Sequence, residues 1–303
     1  MTAEARETIS RAAAYLPSTA LRPYLAGAAY EQRGLPAGEH IGLPSCSLTL
    51  VLPLETGLLV STDGQRRVAM SSCVGGLHAR PVAIAHDGTQ VGFHVDVTPA
   101  GARALFGRPA AELAGCVAEL DELWGPDGRE LVDRLHAADS WAGRAAVLDE
   151  VLLRRLHRWT STSRREAPDE LSEAWRRLST GVPGTAVAEV ARDVGWSRRH
   201  LGGRFAAEFG LPPKSVQRIA RFQGVAEHLK RRPAERLADV AARYGYADQA
   251  HLARDWREFA GCPPSVWLRA EVLPFVQDGA GASGRDWGHD HNAHDDLAVP
   301  DQQ

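Results

Sequence analysis

The sequence predicts an α+β protein: a β-rich N-terminal domain with a helical subdomain, followed by an all-α domain with two helix-turn-helix units. Three observations predict this. Short alternating apolar runs fill the first third, helical apolar spacing follows from about residue 100, and the last third contains one motif twice. A chain of 303 residues is long enough for two domains of ordinary size.

The β-rich region consists of short runs separated by turn residues. Asp63-Gly64, Gly75-Gly76 and Asp87-Gly88 are typical of tight turns between strands. The predicted strands are 47–54, 57–62, 67–71, 82–85 and 90–97. After Pro99 apolar residues recur every three to four positions, which indicates helices. The predicted helices are 100–106, 109–123, 128–137 and 142–159.

The predicted boundaries follow changes in composition. Residues 1–160 form a regulatory, effector-binding or partner-binding domain. Residues 161–169 are polar, lack an apolar period and contain Pro168, so they are interpreted as a linker. Residues 170–272 form the double helix-turn-helix domain. Residues 273–303 are acidic, rich in Gly, Asp and His and poor in large apolar residues, so we expect a disordered tail.

The composition indicates a cytoplasmic protein that does not enter membranes. No stretch approaches the roughly 20 apolar residues that a membrane helix needs, and the first 16 residues carry Glu4, Arg6, Glu7 and Arg11 instead of an apolar signal core. Hydrophobic residues make up 44% of the chain. The four cysteines are far apart and form no zinc pattern, so we expect reduced, buried thiols.

Charge is distributed unevenly along the chain. Residues 170–272 hold 17 Lys and Arg against 12 Asp and Glu, whereas residues 273–303 hold one Arg and six Asp. A basic segment within a chain of net charge −3 is typical of a nucleic-acid-binding module beside another domain.

The repeated motif lies at residues 187–213 and 237–264, with an offset of 50 to 51 residues. Each copy has a small residue in its first helix, Ala191 or Ala241, where a second helix must cross closely. A glycine follows four residues later, Gly195 or Gly245, where the chain needs positive φ to turn. This arrangement predicts a helix-turn-helix in each copy.

The second helix of each copy has a matching start and stop. Ser197 or Asp248 can cap its first turn, and Gly210 or Gly261 followed by two prolines ends it. An amphipathic helix over 215–230 connects the units. An all-α repeat domain without a DNA role would share the apolar pattern. The small residue, turn glycine and cap, occurring twice in the basic segment, favour helix-turn-helix units.

Residues 172–272 resemble the DNA-binding domain of AraC/XylS-family transcription regulators, which has two helix-turn-helix units joined by a long helix. Residues 1–160 resemble the sensor and partner domains of that family more loosely, mainly through the stretch 97–107. The resemblance in the C-terminal region rests on Ala191, Gly195, Leu201, Phe205, Gly210, Pro213, Val240, Ala241, Gly245, Tyr246, Gln249, Leu252, Arg254, Trp256, Gly261 and Pro264.

The resemblance implies a bacterial-type, sequence-specific transcription regulator, and neither an enzyme nor a cofactor-dependent protein. Double-stranded DNA is the expected partner, and RNA polymerase is a further candidate. We expect each recognition helix to place its first turn deepest in the major groove, where Arg reads guanine and Gln reads adenine. The candidate DNA-binding residues are Arg198, Arg199, His200, Arg204, Lys214, Arg218, Gln249, His251 and Arg254.

Two of these expectations carry alternatives. Arg204 either flanks the groove or pairs with Glu208, and each candidate contacts either a base or a phosphate. Gly202 and Gly203 stand in the middle of the first recognition helix, where family members often present DNA-contacting side chains. The first unit must therefore read DNA with residues 198–200 or by close backbone approach.

The N-terminal domain is expected to sense a small molecule or to mediate self-association. Val147, Leu148, Val151, Leu152 and Leu156 form an apolar stripe on one helix. This stripe could pair with the same helix of a second chain to form a homodimer. Alternatively, it covers the domain's own core.

Enzymatic alternatives have weaker support. His78, His86 and His94 recur every eight residues, as in a metal-dependent barrel, but the Asp87-Gly88 turn should prevent their alignment on one strand. The histidines and aspartates of 289–296 could chelate a metal weakly. A DNA-repair methyltransferase would need an acceptor cysteine in a recognisable setting. We therefore expect no catalytic residue, metal ligand or cofactor site.

Overall fold

The computed structural model describes residues 9–61, 66–162 and 166–270. Within these ranges, ten strands form two antiparallel sheets in the N-terminal half. In chain order they are β1 (Ile9–Tyr15), β2 (Leu25–Arg33), β3 (Gly38–Gly42), β4 (Leu48–Pro53), β5 (Leu58–Ser61), β6 (Val68–Met70), β7 (Cys73–Gly75), β8 (Val82–His86), β9 (Gln90–Val97) and β10 (Val117–Ala118). The larger sheet has the order β1-β2-β9-β4-β7-β10, and the smaller sheet has the order β3-β8-β5-β6.

The five predicted strands correspond to β4, β5, β6, β8 and β9, each within two residues of the expected bounds. The other five strands were not predicted. In β2 most residues are buried on both faces and several are Ala or Gly, so no alternation marks the strand. The predicted α+β class with a β-rich first half is confirmed.

Helices follow the sheets. A three-residue α-helix, α1 (Pro99–Gly101), continues into a π-helical turn (Ala102–Phe106). A 3₁₀ turn (Ala110–Glu112) precedes strand β10. Then come α2 (Leu120–Trp124), α3 (Pro126–Ala137) and α4 (Trp141–Ser161).

The continuous helix predicted over 109–123 is wrong. Gly115 adopts a φ of +71°, which breaks the helical path, and its N–H donates to the carbonyl of Leu77 at 2.8 Å. Val117 then pairs with Gly75 at the edge of the larger sheet. A local apolar period cannot distinguish such an edge strand from a helix, because the sheet supplies the hydrogen bonds.

The apolar stripe on α4 lies inside the chain's own core. Leu148, Val151, Leu152 and Leu156 are buried in one cluster with residues of the sheet and of α3, and Val147 packs against that cluster. The stripe therefore covers the domain's own core, and it is not an open surface for a second chain.

The C-terminal half is helical, as predicted. Its helices are α5 (Asp169–Leu178), α6 (Val187–Asp193), α7 (Arg198–Phe209), α8 (Pro213–Arg231), α9 (Leu237–Arg243), α10 (Gln249–Ala260) and α11 (Pro264–Ala270). The linker expected at 161–169 falls between α4 and α5, and its residues 163–165 lie outside the described part of the chain, as does the tail 273–303.

The two halves share buried surface. One hydrophobic cluster runs from Tyr15 and Phe93 of the sheet through α4 to Phe205 and Val216 of the C-terminal helices. A second cluster around Trp256 includes Leu43 from the β region. Apolar side chains of both halves therefore pack together on either side of the predicted linker. Within the described ranges, no helix is both long and apolar enough to span a membrane.

Candidate nucleic-acid interface

The first helix-turn-helix comprises α6 and α7. Ala191 is buried where the two helices cross, and Gly195 turns the chain with a φ of +76°. The N–H of Trp196 donates to the carbonyl of Ala191 at 2.8 Å, and the Ser197 hydroxyl accepts the N–H of His200 at 3.2 Å. The small residue, the turn and the cap therefore take the predicted roles.

The second unit, α9 and α10, repeats this geometry. Gly245 turns at a φ of +68°, and the N–H of Tyr246 donates to the carbonyl of Ala241 at 2.9 Å. Asp248 accepts the N–H of His251 at 2.6 Å. Two separated sequence segments thus form the same backbone arrangement, each with a capped recognition helix.

The first recognition helix presents its predicted reading residues to solvent. Arg198, Arg199, His200 and Arg204 are exposed, and the imidazole of His200 packs edge-on against the indole of Trp196, with centroids 4.7 Å apart. Lys214, in the first turn of α8, is also exposed.

Gly202 and Gly203 leave the middle of α7 bare. A Cβ built at either position meets no described atom within 4 Å. This part of the recognition helix is therefore a smooth backbone surface.

The second recognition helix exposes Gln249 and Arg254. His251 is half-buried, with its ring edge-on to the Tyr246 ring at 5.1 Å between centroids. Eight of the nine predicted residues therefore lie exposed or half-buried on the two recognition helices or at the start of α8.

Arg218 differs from the other predicted residues. Its guanidinium donates to the Asp255 carboxylate at 2.8 Å and to both oxygens of Glu258, and it lies over the Phe259 ring at 4.9 Å. The hydrogen bonds to Glu258 and Asp255 raise the pKa of Arg218. Together with Arg221, which also reaches Asp255, it ties α8 to α10 and so positions the second recognition helix.

Glu208 does not pair with Arg204. Its carboxylate accepts two hydrogen bonds from Arg103 of the N-terminal domain, Nε at 2.6 Å and Nη2 at 2.5 Å. Sequence spacing could not reveal this contact, because the two residues are 105 positions apart.

A cavity of about 390 Å³ lies between the two sheets. Strands of both sheets line it, and Gly210 and Leu211, which follow the first recognition helix, form part of its wall. Cavities of this size bind small molecules in many proteins. The cavity was not predicted from the sequence.

Polar side chains of β9 line this cavity. Every second residue of the strand belongs to the hydrophobic core, namely Val91, Phe93, Val95 and Val97. The alternate residues therefore face the other way. Gln90 and His94 are among these alternate residues, and both are buried and line the cavity. The alternation of polar and apolar residues over 90–97 was the sequence signal that could have indicated a polar cavity wall.

His86, one of the three histidines considered for metal binding, neighbours His40, with ring centroids 6.4 Å apart. Across the described ranges, no group of three or more His, Cys, Asp or Glu side chains could hold a metal ion. Residues 289–296 lie outside these ranges.

The cysteines are free thiols in different settings. Cys73 is buried, Cys46 and Cys262 are half-buried, and Cys116 is exposed, which corrects the expectation that all four are buried. Burial raises the pKa of the Cys46 thiol to about 12, and the same cause, with the Glu119 charge, raises that of Cys73 to about 12. Both thiols are therefore protonated and unreactive near neutral pH.

Comparison with known proteins bears on the C-terminal half. A family model described as a helix-turn-helix domain matches residues 190–270. The probable thc operon regulatory protein of Rhodococcus erythropolis is 35% identical over 91 residues, which are 29% of this chain. The match covers only 27% of that relative's length.

Several solved structures are similar at low identity. ToxT from Vibrio cholerae is 9% identical over 81% of this chain and 98% of its own, with a TM-score of 0.49. A regulator with an AraC-type DNA-binding domain from Chromobacterium violaceum is 21% identical over 34% of this chain and 90% of its own, with a TM-score of 0.30. The matched family model and the two capped units agree on residues 190–270, which form a helix-turn-helix domain.

Proposed function

We propose that the chain is a sequence-specific transcription regulator whose two recognition helices enter successive major-groove segments of one DNA site. The observation that carries this proposal is the pair of capped recognition helices, each with exposed polar residues in its first turn. In helix-turn-helix proteins these first turns reach the base edges. We further propose that six residues of these turns and helices read bases, namely Arg198, Arg199, His200, Gln249, His251 and Arg254.

Phosphate contacts complete the proposed interface. Exposed Arg204 and Lys214 flank the first recognition helix and suit contacts to the DNA backbone. Arg218 is engaged with Asp255 and Glu258, so in this proposal it supports α10 and reaches a phosphate only if DNA competes with those carboxylates.

The N-terminal domain is proposed to regulate DNA binding by sensing a small molecule. The cavity between the sheets and the ion pair from Arg103 to the first recognition helix support this role. Self-association needs a surface other than the buried α4 stripe, and contact with RNA polymerase stays a prediction.

The proposal is tested by selecting DNA binding sites for the full chain and then footprinting the chain on one of these sites. We expect an asymmetric protected stretch of roughly two helical turns, with half-sites about 10 bp apart. Binding should weaken steeply with salt, because each neutralised phosphate contributes about −0.9 to the log–log slope. No duplex binding, or a slope near zero, contradicts the proposal. A footprint over a single groove would show that only one unit reads DNA.

A further inference from the structure

The cavity between the sheets contains buried polar atoms without partners. Nε2 of Gln90 and both ring nitrogens of His94 have no hydrogen-bond partner among the described residues, although Gln90 is 7% exposed and His94 is 6% exposed. The nearest charge recorded for His94 is Asp96, at 3.6 Å from Nε2. A buried polar group left without a partner costs about 1–3 kcal/mol. A bound molecule that completes their hydrogen bonds would remove this cost.

The described lining of the cavity provides no buried counter-charge for a charged ligand. Among the described residues that line it, none is Asp or Glu, and the one Lys or Arg is Arg80, which is exposed. Burial, followed by the charge of His86, lowers the pKa of His40 to about 3, so this lining imidazole is neutral near pH 7. A cation would lack a counter-charge and a buried anion would lack a buried cation, and either would pay a large desolvation cost.

Much of the remaining lining is apolar, although Tyr30, Thr49 and His78 also contribute to it. Val51, Leu58, Val60 and Ile84 contribute side chains from both sheets. A cavity of about 150 Å³ is known to hold benzene. A volume of about 390 Å³ therefore accommodates a molecule of about two rings with a short substituent.

We propose that this cavity binds an uncharged, mostly apolar molecule with a carbonyl or hydroxyl group that forms a hydrogen bond with Gln90 or with His94. The bound molecule contacts Gly210 and Leu211, so its presence is transmitted to the first recognition helix. The regulatory consequence rests on the proposed function, whereas the binding step does not.

The wall at Gly210 gives a short path to the DNA-reading helix. Gly210 ends α7 with a φ of +79°, and a Cβ built on it would lie 2.2 Å from Cβ of Ala114, which also lines the cavity. Gly210 and Leu211 are the described residues that the C-terminal half contributes to the lining. A ligand that shifts the contact between Gly210 and Ala114 therefore acts first on the C-terminal end of α7. Gly210 lies two residues after Glu208, which pairs with Arg103.

The ligand chemistry is tested by calorimetry, which measures the binding of three probes of similar shape to the full chain. They are 4-acetylbiphenyl with a carbonyl, biphenyl-4-carboxylate with a charge, and 4-ethylbiphenyl with neither. We expect 4-acetylbiphenyl to bind at least tenfold more tightly than the other two. Equal binding of the acetyl and ethyl probes, tighter binding of the carboxylate, or binding of none of the three overturns the proposal.

Variants assign the selectivity to the named residues. In Gln90→Leu/His94→Leu the preference for the acetyl over the ethyl probe should disappear, while 4-ethylbiphenyl binds at least as tightly as before, which also reports that the variant folds. The control is Gln217→Leu, a half-buried glutamine of α8 that does not line the cavity. If the double variant keeps the preference, or the control loses it, the assignment is wrong.

The effect of the bound molecule on the first helix-turn-helix unit is measured without DNA. Hydrogen exchange should show that 4-acetylbiphenyl changes protection in α7 and at residues 210–211 more than in α10. Equal changes in the two recognition helices, or no change in either, would contradict the proposal that the bound molecule acts on α7. If this experiment succeeds and DNA binding fails, the proposed function is wrong and the ligand site stands.

Discussion

Arg103 and Glu208 form a two-point ion pair that joins the N-terminal domain to the first recognition helix. Nε and Nη2 of Arg103 donate to the two carboxylate oxygens of Glu208, at 2.6 and 2.5 Å, and Glu208 is buried. The pair lies near the C-terminal end of α7, whereas the exposed Arg198 and Arg199 lie at its N-terminal end. The ion pair therefore anchors the C-terminal end of α7 and leaves its N-terminal end accessible to DNA.

Arg103→Met should loosen this joint. Removing the cation leaves the buried Glu208 carboxylate unpaired, and charge-assisted hydrogen bonds of this kind contribute about 1.5–3 kcal/mol. We expect faster hydrogen exchange in α7 and a lower unfolding midpoint. Arg129→Met removes an exposed partner of Asp121 and serves as control, with a much smaller expected change because exposed ion pairs contribute little. Equal effects of the two substitutions would show that the interdomain pair does not hold α7.

Gly195→Ala and Gly210→Ala separate backbone strain from packing. Both glycines have positive φ, so each alanine should cost about 1–2 kcal/mol of strain. A Cβ at residue 195 meets no described atom within 4 Å, whereas one at residue 210 collides with Ala114. Denaturant unfolding should show the larger loss of stability for Gly210→Ala, with increased exchange at the domain contact in that variant alone. A larger loss for Gly195→Ala would contradict the packing argument.

Gly202→Ala/Gly203→Ala should stabilise the protein. Alanine gains roughly 1 kcal/mol of helix propensity over glycine at each site, and the space around both is open. Thermal unfolding should therefore shift upward by a few degrees. DNA affinity gives a second readout: a fall despite higher stability would indicate that the DNA backbone approaches these glycines closely, and an unchanged affinity would exclude that approach.

Arg199→Ala and Gln249→Ala compare the two reading units. If each residue contacts a base, its loss should cost about 1–3 kcal/mol of binding free energy and relax the preference at one base position. Binding measured on a panel of single-base site variants provides the test. Uniform weakening on every sequence would instead identify the residue as a phosphate contact.

His40→Gln should flatten the acid side of the stability profile. Burial and the neighbouring charges of His86, His94 and Lys230 lower the pKa of His40 from 6.5 to about 3. Between these values the unfolded chain binds a proton that the folded chain does not, so His40 makes the protein less stable as pH falls from 6.5 towards 3. Its removal should reduce the slope by up to about 1.4 kcal/mol per pH unit. Denaturant unfolding at several pH values measures it, and an unchanged slope would refute the assignment.

The sequence by itself determined the helix-turn-helix units. Ala191, Gly195 and Ser197 act within a few residues of one another, and their steric and hydrogen-bonding demands are local. The strands with clear alternation, such as β9, were likewise predictable because their two faces have different surroundings.

Tertiary structure decided what lies between the halves. The Arg103–Glu208 pair joins residues 105 positions apart. The helix expected over 109–123 is interrupted by the short edge strand β10, which pairs with β7. The cavity forms only where two sheets and the turn at Gly210 meet. Such contacts depend on how elements that are distant in the sequence pack together, and the local spacing of residues does not specify that packing.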